Sequence, residues 1–375
     1  MKTIYKAFAT VLAGAALISC NAGNKGANVS GDDWALTDFG RVSNTPLLGP
    51  DSMTRFFCPM RKDSVAWMES DIFNPAATVK GDTIFLLYRA EDNSAKGIGA
   101  RTSRIGLAYS LDGVNFTYDK DPVVFPAEDS QKRYEWEGGC EDPRVAMTED
   151  GTYVMFYTQW NREVPRLAIA TSKDLRHWEK HGPAFSKAYD GRFGDEFSKS
   201  ASVVTKLDKD GRQVITKING KYYMYWGEKF VNLAVSDNLL DWTPMVDERG
   251  ELLHVMDTRK GYFDSALTEC GPPALLTDKG IVLIYNGKNS ADENGDPNYV
   301  SNTYCGGQAL FDASDPTKLV ARLDKPFFKP EADFEKSGQY PAGTVFIEGM
   351  AHKDGKWYLY YGCADSFVGG AVKSE

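Results

Sequence analysis

The chain has 375 residues, 42% hydrophobic and 25% charged, with 35 Gly and 17 Pro, which excludes disordered, collagen-like and coiled-coil classes. Its net charge of −9 and lack of a basic stripe argue against nucleic acid and polyanion partners. Aromatic residues make up 13%, a content that suits a strand-rich or a sugar-binding protein. Only four His occur, at no metal-like spacing, and the six Cys include no C-x-x-C pair. No P-loop, dinucleotide fingerprint or G-x-S-x-G elbow is present. Carboxylates and aromatics remain as the chemistry-bearing groups, and no metal or cofactor is expected.

The first segment, Met1–Ser19, carries Lys2 and Lys6 ahead of the apolar run Ala7–Ile18, as a signal peptide does. It ends in Leu17-Ile18-Ser19-Cys20, which resembles the bacterial lipoprotein cleavage box with Cys20 as the lipidated residue. The stretch 20–32 is Gly/Asn/Ser-rich and reads as a flexible tether. The expectation is an exported lipoprotein, periplasmic or on the cell surface, touching membrane through its anchor alone. Five further Cys leave at least one free thiol and allow one or two disulfides.

From residue 33 onward a unit of roughly 60–80 residues repeats five times. Each contains a hairpin turn followed by an aromatic and aliphatic run: Thr83–Tyr88, Tyr153–Thr158, Tyr222–Trp226, Ile281–Asn286 and Trp357–Tyr361. A second apolar run follows in each, such as Ile105–Tyr109 and Leu167–Thr171, with Phe116, Trp178 and Trp242 placed to cap three units. A third run precedes each turn and opens on polar residues. Five such units over 33–375 predict one all-β domain, a five-bladed β-propeller.

In that architecture the starts of the innermost strands open at one mouth of the central channel. Asn74, Asp142, Ser200, Glu269 and Glu348 are therefore expected to converge there. The ends of the next strands, including Arg89-Ala90-Glu91-Asp92, Gly227-Glu228 and Cys363-Ala364-Asp365, supply a second ring. Carboxyl groups crowded in one concavity raise each other's pKa, which suits a catalytic acid near neutrality.

Several blocks resemble glycoside hydrolase family 130, the five-bladed propellers that act on β-mannosides. They are Phe73-Asn74-Pro75-Ala76, Tyr88-Arg89-Ala90-Glu91-Asp92, Ser103-Arg104-Ile105-Gly106-Leu107-Ala108, Gly139-Cys140-Glu141-Asp142-Pro143-Arg144, Ile218–Met224 and Tyr360–Asp365. The resemblance implies an inverting mechanism with Asp142 as the acid, working through the sugar's own 3-hydroxyl. It also implies a mannose-containing oligosaccharide as substrate.

The family contains phosphorylases and hydrolases. Phosphorylase-like members tend to carry a basic pair where this chain reads Tyr225-Trp226-Gly227-Glu228. Glu228 and Glu269 would repel phosphate and activate water, which favours β-1,2-mannoside hydrolysis. Asn74, Arg89, Glu91, Asp92, Arg104, Arg144, Lys199, Tyr304, Glu348 and Asp365 are assigned to substrate binding. Arg104, Arg144, Arg166 and Lys199 could instead gather as an anion site, the arrangement a phosphorylase releasing mannose 1-phosphate needs. A carbohydrate-binding lipoprotein without catalysis and a glycosidase of the arabinanase or fructanase type are the readings from other classes.

Overall fold

The computed structural model describes residues 31–374. The leader, Cys20 and most of the tether lie outside the described residues. The described chain is almost entirely β, with helical pieces only at Lys132–Glu135, Ala188–Gly191 and Asp333–Glu335.

Each of the five sequence units forms an antiparallel meander. In the first, Asp71–Lys80 pairs with Thr83–Glu91, which pairs with Ser103–Ser110 and then Thr117–Tyr118. The second repeats this with Gly139–Met147, Tyr153–Trp160, Pro165–Ser172 and Glu179–Pro183. The third runs Ala201–Leu207, Lys221–Trp226, Val231–Ser236 and Trp242–Pro244. The fourth opens on a split strand, Leu267–Cys270 and Ala274–Leu276, before Ile281–Lys288, Tyr304–Phe311 and Leu319–Arg322. The fifth is Val345–Lys353, Lys356–Cys363 and Phe367–Ser374.

The outer strand of the fifth sheet comes from the other end of the chain: Gly40–Arg41 pairs with Val372 and Ala371. Joining the chain ends within one sheet removes an exposed edge. The strand is held by Arg41, whose Nε and Nη2 each donate at 2.8 Å to the buried carboxylate of Glu335.

Local chemistry explains why the units look alike. Asn219-Gly220 and Asp354-Gly355 take positive φ at both positions, the twist a two-residue hairpin needs. At the next turn Ser110, Ser172 and Ser236 accept through Oγ the backbone N–H of Gly113, Leu175 and Leu239. Those three residues all have φ between 68° and 77°. Trp178 and Trp242 then donate their indole N–H to the carbonyls of Leu175 and Leu239.

The innermost strands touch in succession around a centre. The first lies against those of the second and fifth sheets, and the second against the third. The third runs parallel to the fourth at Val204–Ala274 and Thr205–Leu275. Asn286 of the fourth sheet exchanges two hydrogen bonds with the Ile347 backbone of the fifth. Hydrophobic clusters fill the spaces between successive sheets.

Among the described residues none of the possible disulfides forms. Cys58, Cys140, Cys270, Cys305 and Cys363 are all free and buried.

Candidate active site

The inner strands share an irregularity at their polar starts. Pairing skips Asn74 between Phe73 and Pro75, Asp142 and Pro143 between Glu141 and Arg144, and Glu348 between Ile347 and Gly349. A β-bulge of this kind bends the strand and re-aims the extra side chain. Asn74, Asp142 and Ser200 sit at φ of 48°, 47° and 59°, in the left-handed region. Asn and Asp tolerate that region best, and such strain gathers at functional sites. Pro75 and Pro143 follow two of the bulged residues, where no ladder N–H is required.

The bulges at Asn74 and Asp142 border a cavity of about 170 Å³. Asn74, Arg89, Glu91, Asp142, Lys199, Glu228, Glu269, Tyr304 and Asp365 line it, as the sequence led us to expect. Asp142 lies between its two cations, Arg89 and Lys199. Its Oδ1 accepts from Asn74 Nδ2 at 2.9 Å and from Arg89 Nη1 at 3.1 Å. The same guanidinium reaches Glu91 at 2.6 Å and Glu141 at 2.9 Å through Nη2, and lies over the Phe73 ring.

Lys199 holds the other side. Its Nζ is 2.9 Å from Glu269 Oε1, 3.7 Å from Asp142 Oδ2 and 4.0 Å from Glu228 Oε1. Ser200 Oγ donates to Glu269 Oε1 at 2.5 Å. Glu228 follows the strand Lys221–Trp226 and is half-buried. Its backbone is tied to the Glu269 strand, since Thr268 N donates to the Glu228 carbonyl and Cys270 N to that of Gly227.

The electrostatics correct one expectation. Burial pushes the carboxyls of Glu269 and Glu348 up, and carries those of Glu141 and Asp365 to about 7. Asp142 goes the other way. Burial would raise it, but Arg89, Lys199 and Arg144, helped by the Asn74 amide, hold it well below the usual carboxylate range. Crowding alone therefore does not set the acid. Glu141 and Asp142 share Arg89, and such a pair binds and releases protons as a unit.

Four expected substrate contacts lie off the cavity. Asp92 and Arg104 pair with each other at 2.9 Å, with Arg104 over the Phe56 ring and beside Cys58. Arg144 and Glu348 pair at 3.0 Å, both fully buried, and neither lines the opening. The anion site does not assemble either, because Arg166 is held by Asp195 and the Val164 carbonyl. Of those four cations only Lys199 reaches the cavity.

The cavity also has walls that sequence reading left out. Tyr340 and Phe346 pack edge-on against Tyr304, and Lys288 Nζ lies over the Tyr304 and Tyr340 rings. Phe73, Ile98, Gln339 and Thr344 complete the lining. Phe346 is separated from the polar start Glu348 by a bulge, which hides it from strand alternation; the loop around Gln339 and Tyr340 carries no repeat signal. Among the described residues no group of three or more His, Cys, Asp or Glu is arranged to hold a metal ion.

Comparison with known proteins bears on the family of the chain. The family model Glyco_hydro_130, described as β-1,4-mannooligosaccharide phosphorylase, matches residues 42–375. A 1,2-β-oligomannan phosphorylase of Thermoanaerobacter sp. (strain X514) is 33% identical over 337 residues, covering 88% of this chain and 96% of the relative. A solved glycosyl hydrolase from Bacteroides ovatus is 58% identical with a TM-score of 0.90, over 92% of this chain and 96% of that one. Another solved structure is 57% identical with the same TM-score, over 92% and 96%. It is described by the statement that the GH130 family of mannoside phosphorylases contains glycoside hydrolases that target β-1,2 mannosidic linkages in Candida mannan.

Proposed function

The chain belongs to glycoside hydrolase family 130, and from that premise we propose that it is an inverting hydrolase of β-mannosides, with β-1,2-linked mannose as its substrate. We read the five sheets as the blades of one propeller over residues 33–375, with the cavity at the mouth of its channel.

One observation carries the choice of hydrolysis. Five carboxylates line the cavity (Glu91, Asp142, Glu228, Glu269 and Asp365) against two cations, Arg89 and Lys199. Both cations are already engaged, Arg89 by Glu91, Glu141 and Asp142, and Lys199 by Glu269, Glu228 and Asp142. A phosphate dianion entering there would find both cations engaged and the Asp142 carboxylate, which they hold in its charged form, beside it. A unit like-charge pair at 4 Å costs about 4 kcal/mol at an effective dielectric near 20. Water meets no such barrier.

In this reading the Glu141–Asp142 pair carries the proton that reaches the glycosidic oxygen through Asp142. Glu228 and Glu269 hold and deprotonate the attacking water. Asn74, Arg89 and Asp365 orient the sugar in the cavity. The two solved structures at 57% and 58% identity, one a glycosyl hydrolase and the other described with β-1,2 mannosidic linkages, support hydrolysis and that linkage. The lipoprotein box at Cys20 supports export and membrane anchoring.

The test is incubation with β-1,2-mannobiose, with and without phosphate. Mannose released at a rate indifferent to phosphate is expected. Accumulation of mannose 1-phosphate would establish a phosphorylase, and no turnover of any mannoside would leave a binding protein.

A further inference from the structure

Arg144 was expected at the substrate and is found elsewhere, with every contact made to protein. It follows Asp142 by two residues on the same inner strand and is fully buried. Nη1 donates to the Asp142 carbonyl at 3.0 Å, Nη2 to the Cys270 carbonyl at 2.9 Å and Nε to the Gly271 carbonyl at 3.3 Å. Nη1 is also 3.0 Å from Glu348 Oε1 in the fifth sheet. One planar group therefore grips the backbone of Asp142 and the two residues that follow Glu269.

Net stabilisation does not account for such a group. A buried ion pair is roughly neutral against a well-packed apolar replacement, because desolvation offsets the attraction. What a guanidinium supplies is a rigid fork of donors at fixed angles. Here the fork spans two sheets, and its acceptors are themselves confined. Gly271 has no room for a Cβ, which would meet the Ile284 and Ile347 carbonyls at 2.8 and 2.9 Å. Its carbonyl also accepts from Ser202 Oγ of the third sheet. Asp142 is on a bulge at positive φ, so its carbonyl orientation fixes where its carboxyl points.

We infer that Arg144 is a positioning residue that sets the separation of Asp142 and Glu269, with the buried Glu348 carboxyl beside its Nη1. In an inverting glycosidase that separation decides whether a water fits between substrate and base. The inference rests on the proposed acid and base roles of those two residues. Displacement of a reacting group by about 1 Å costs on the order of 10²-fold in rate.

The experiment compares Arg144→Lys and Arg144→Met with wild type, after circular dichroism and thermal melting establish folding. Lysine keeps the charge beside Glu348 but cannot span the three carbonyls. For β-1,2-mannobiose, kcat is expected to fall about 10–100-fold while KM stays within about twofold. A folded variant with kcat within about twofold of wild type overturns the inference. Failure of both variants to fold also overturns it, since the role is then purely structural. Asp142→Asn and Glu269→Gln are run in parallel. Should these keep turnover, the functional reading falls and the strut with it. Should they be inactive while a folded Arg144→Lys works normally, only the strut falls.

Discussion

Glu141 and Asp142 are consecutive residues that face the same guanidinium, Arg89 lying 2.9 Å from Glu141 Oε1 and 3.1 Å from Asp142 Oδ1. Burial carries Glu141 to about 7, whereas the cations around Asp142 keep it low. Near neutrality the pair retains a proton that an isolated Asp142 would have lost. General acid catalysis needs the protonated form, so kcat/KM should decline as pH rises through about 7. Glu141→Gln removes the partner and leaves Asp142 beside its cations. The alkaline limb should then move to lower pH, with a loss of about tenfold or more at pH 7. A limb that stays in place dissociates Glu141 from the proton.

Lys199 is the counterpart beside Glu269, the proposed base. Burial already raises Glu269, and Lys199 is the main influence opposing it. Lys199→Met keeps the stem and removes the charge, so Glu269 stays protonated to higher pH. The acidic limb of the rate profile should shift upward, and kcat at pH 6 should fall by about 10²-fold. An unchanged acidic limb in a folded variant would remove Glu269 as the base.

Closure of the fifth sheet depends on Arg41. The Glu335 carboxylate is fully buried and accepts from Arg41, the Tyr361 hydroxyl and the backbone N–H groups of Glu331 and Ala332. Arg41→Met leaves that charge without its cation, at a cost of about 3–5 kcal/mol. Urea melts should show a lower midpoint with little change in slope. A midpoint within error of wild type would assign closure to strand pairing alone.

At the N-terminus, the Leu-Ile-Ser-Cys box leads us to expect acylation of Cys20. Stable membrane attachment takes two lipid signals, which a multiply acylated cysteine supplies. Cys20→Ala should move the protein from the membrane fraction to the soluble one. Persistence in the membrane fraction would contradict a lipid anchor at this residue.

The strands and hairpins were readable because their signals are periodic: alternating aromatics, Gly-containing turns and Ser-x-Asp or Ser-x-Asn corners. The fourth strands were not, since pieces such as Thr117–Tyr118 are too short to alternate. Gly40–Arg41 gains its meaning only by pairing with residues at the far end of the chain. At the site, the polar strand starts Asn74, Asp142 and Glu269 line the cavity, whereas Ser200 and Glu348 do not. Direction within a strand was the weak point. Successive side chains point to opposite faces, so Glu91 lines the cavity while the next residue, Asp92, turns back to Arg104. Arg144 was misplaced for a related reason, because the bulge at Asp142 and Pro143 changes which side of the strand faces the opening. The low pKa of Asp142 depends on Arg89 and Lys199 closing in from other sheets, which spacing along the chain does not reveal.

The central claim is that water, activated by a carboxylate, displaces the β-linked sugar at a site that excludes phosphate. Proton NMR of the first minutes of β-1,2-mannobiose cleavage in phosphate buffer tests it directly. An inverting hydrolase gives α-mannose in excess of the equilibrium proportion ahead of mutarotation, with no mannose 1-phosphate at any time. The newly freed anomeric centre is α, while the leaving mannose carries the disaccharide's own α/β mixture. β-Mannose in excess of the equilibrium proportion would contradict inversion, and a rising mannose 1-phosphate signal would contradict hydrolysis.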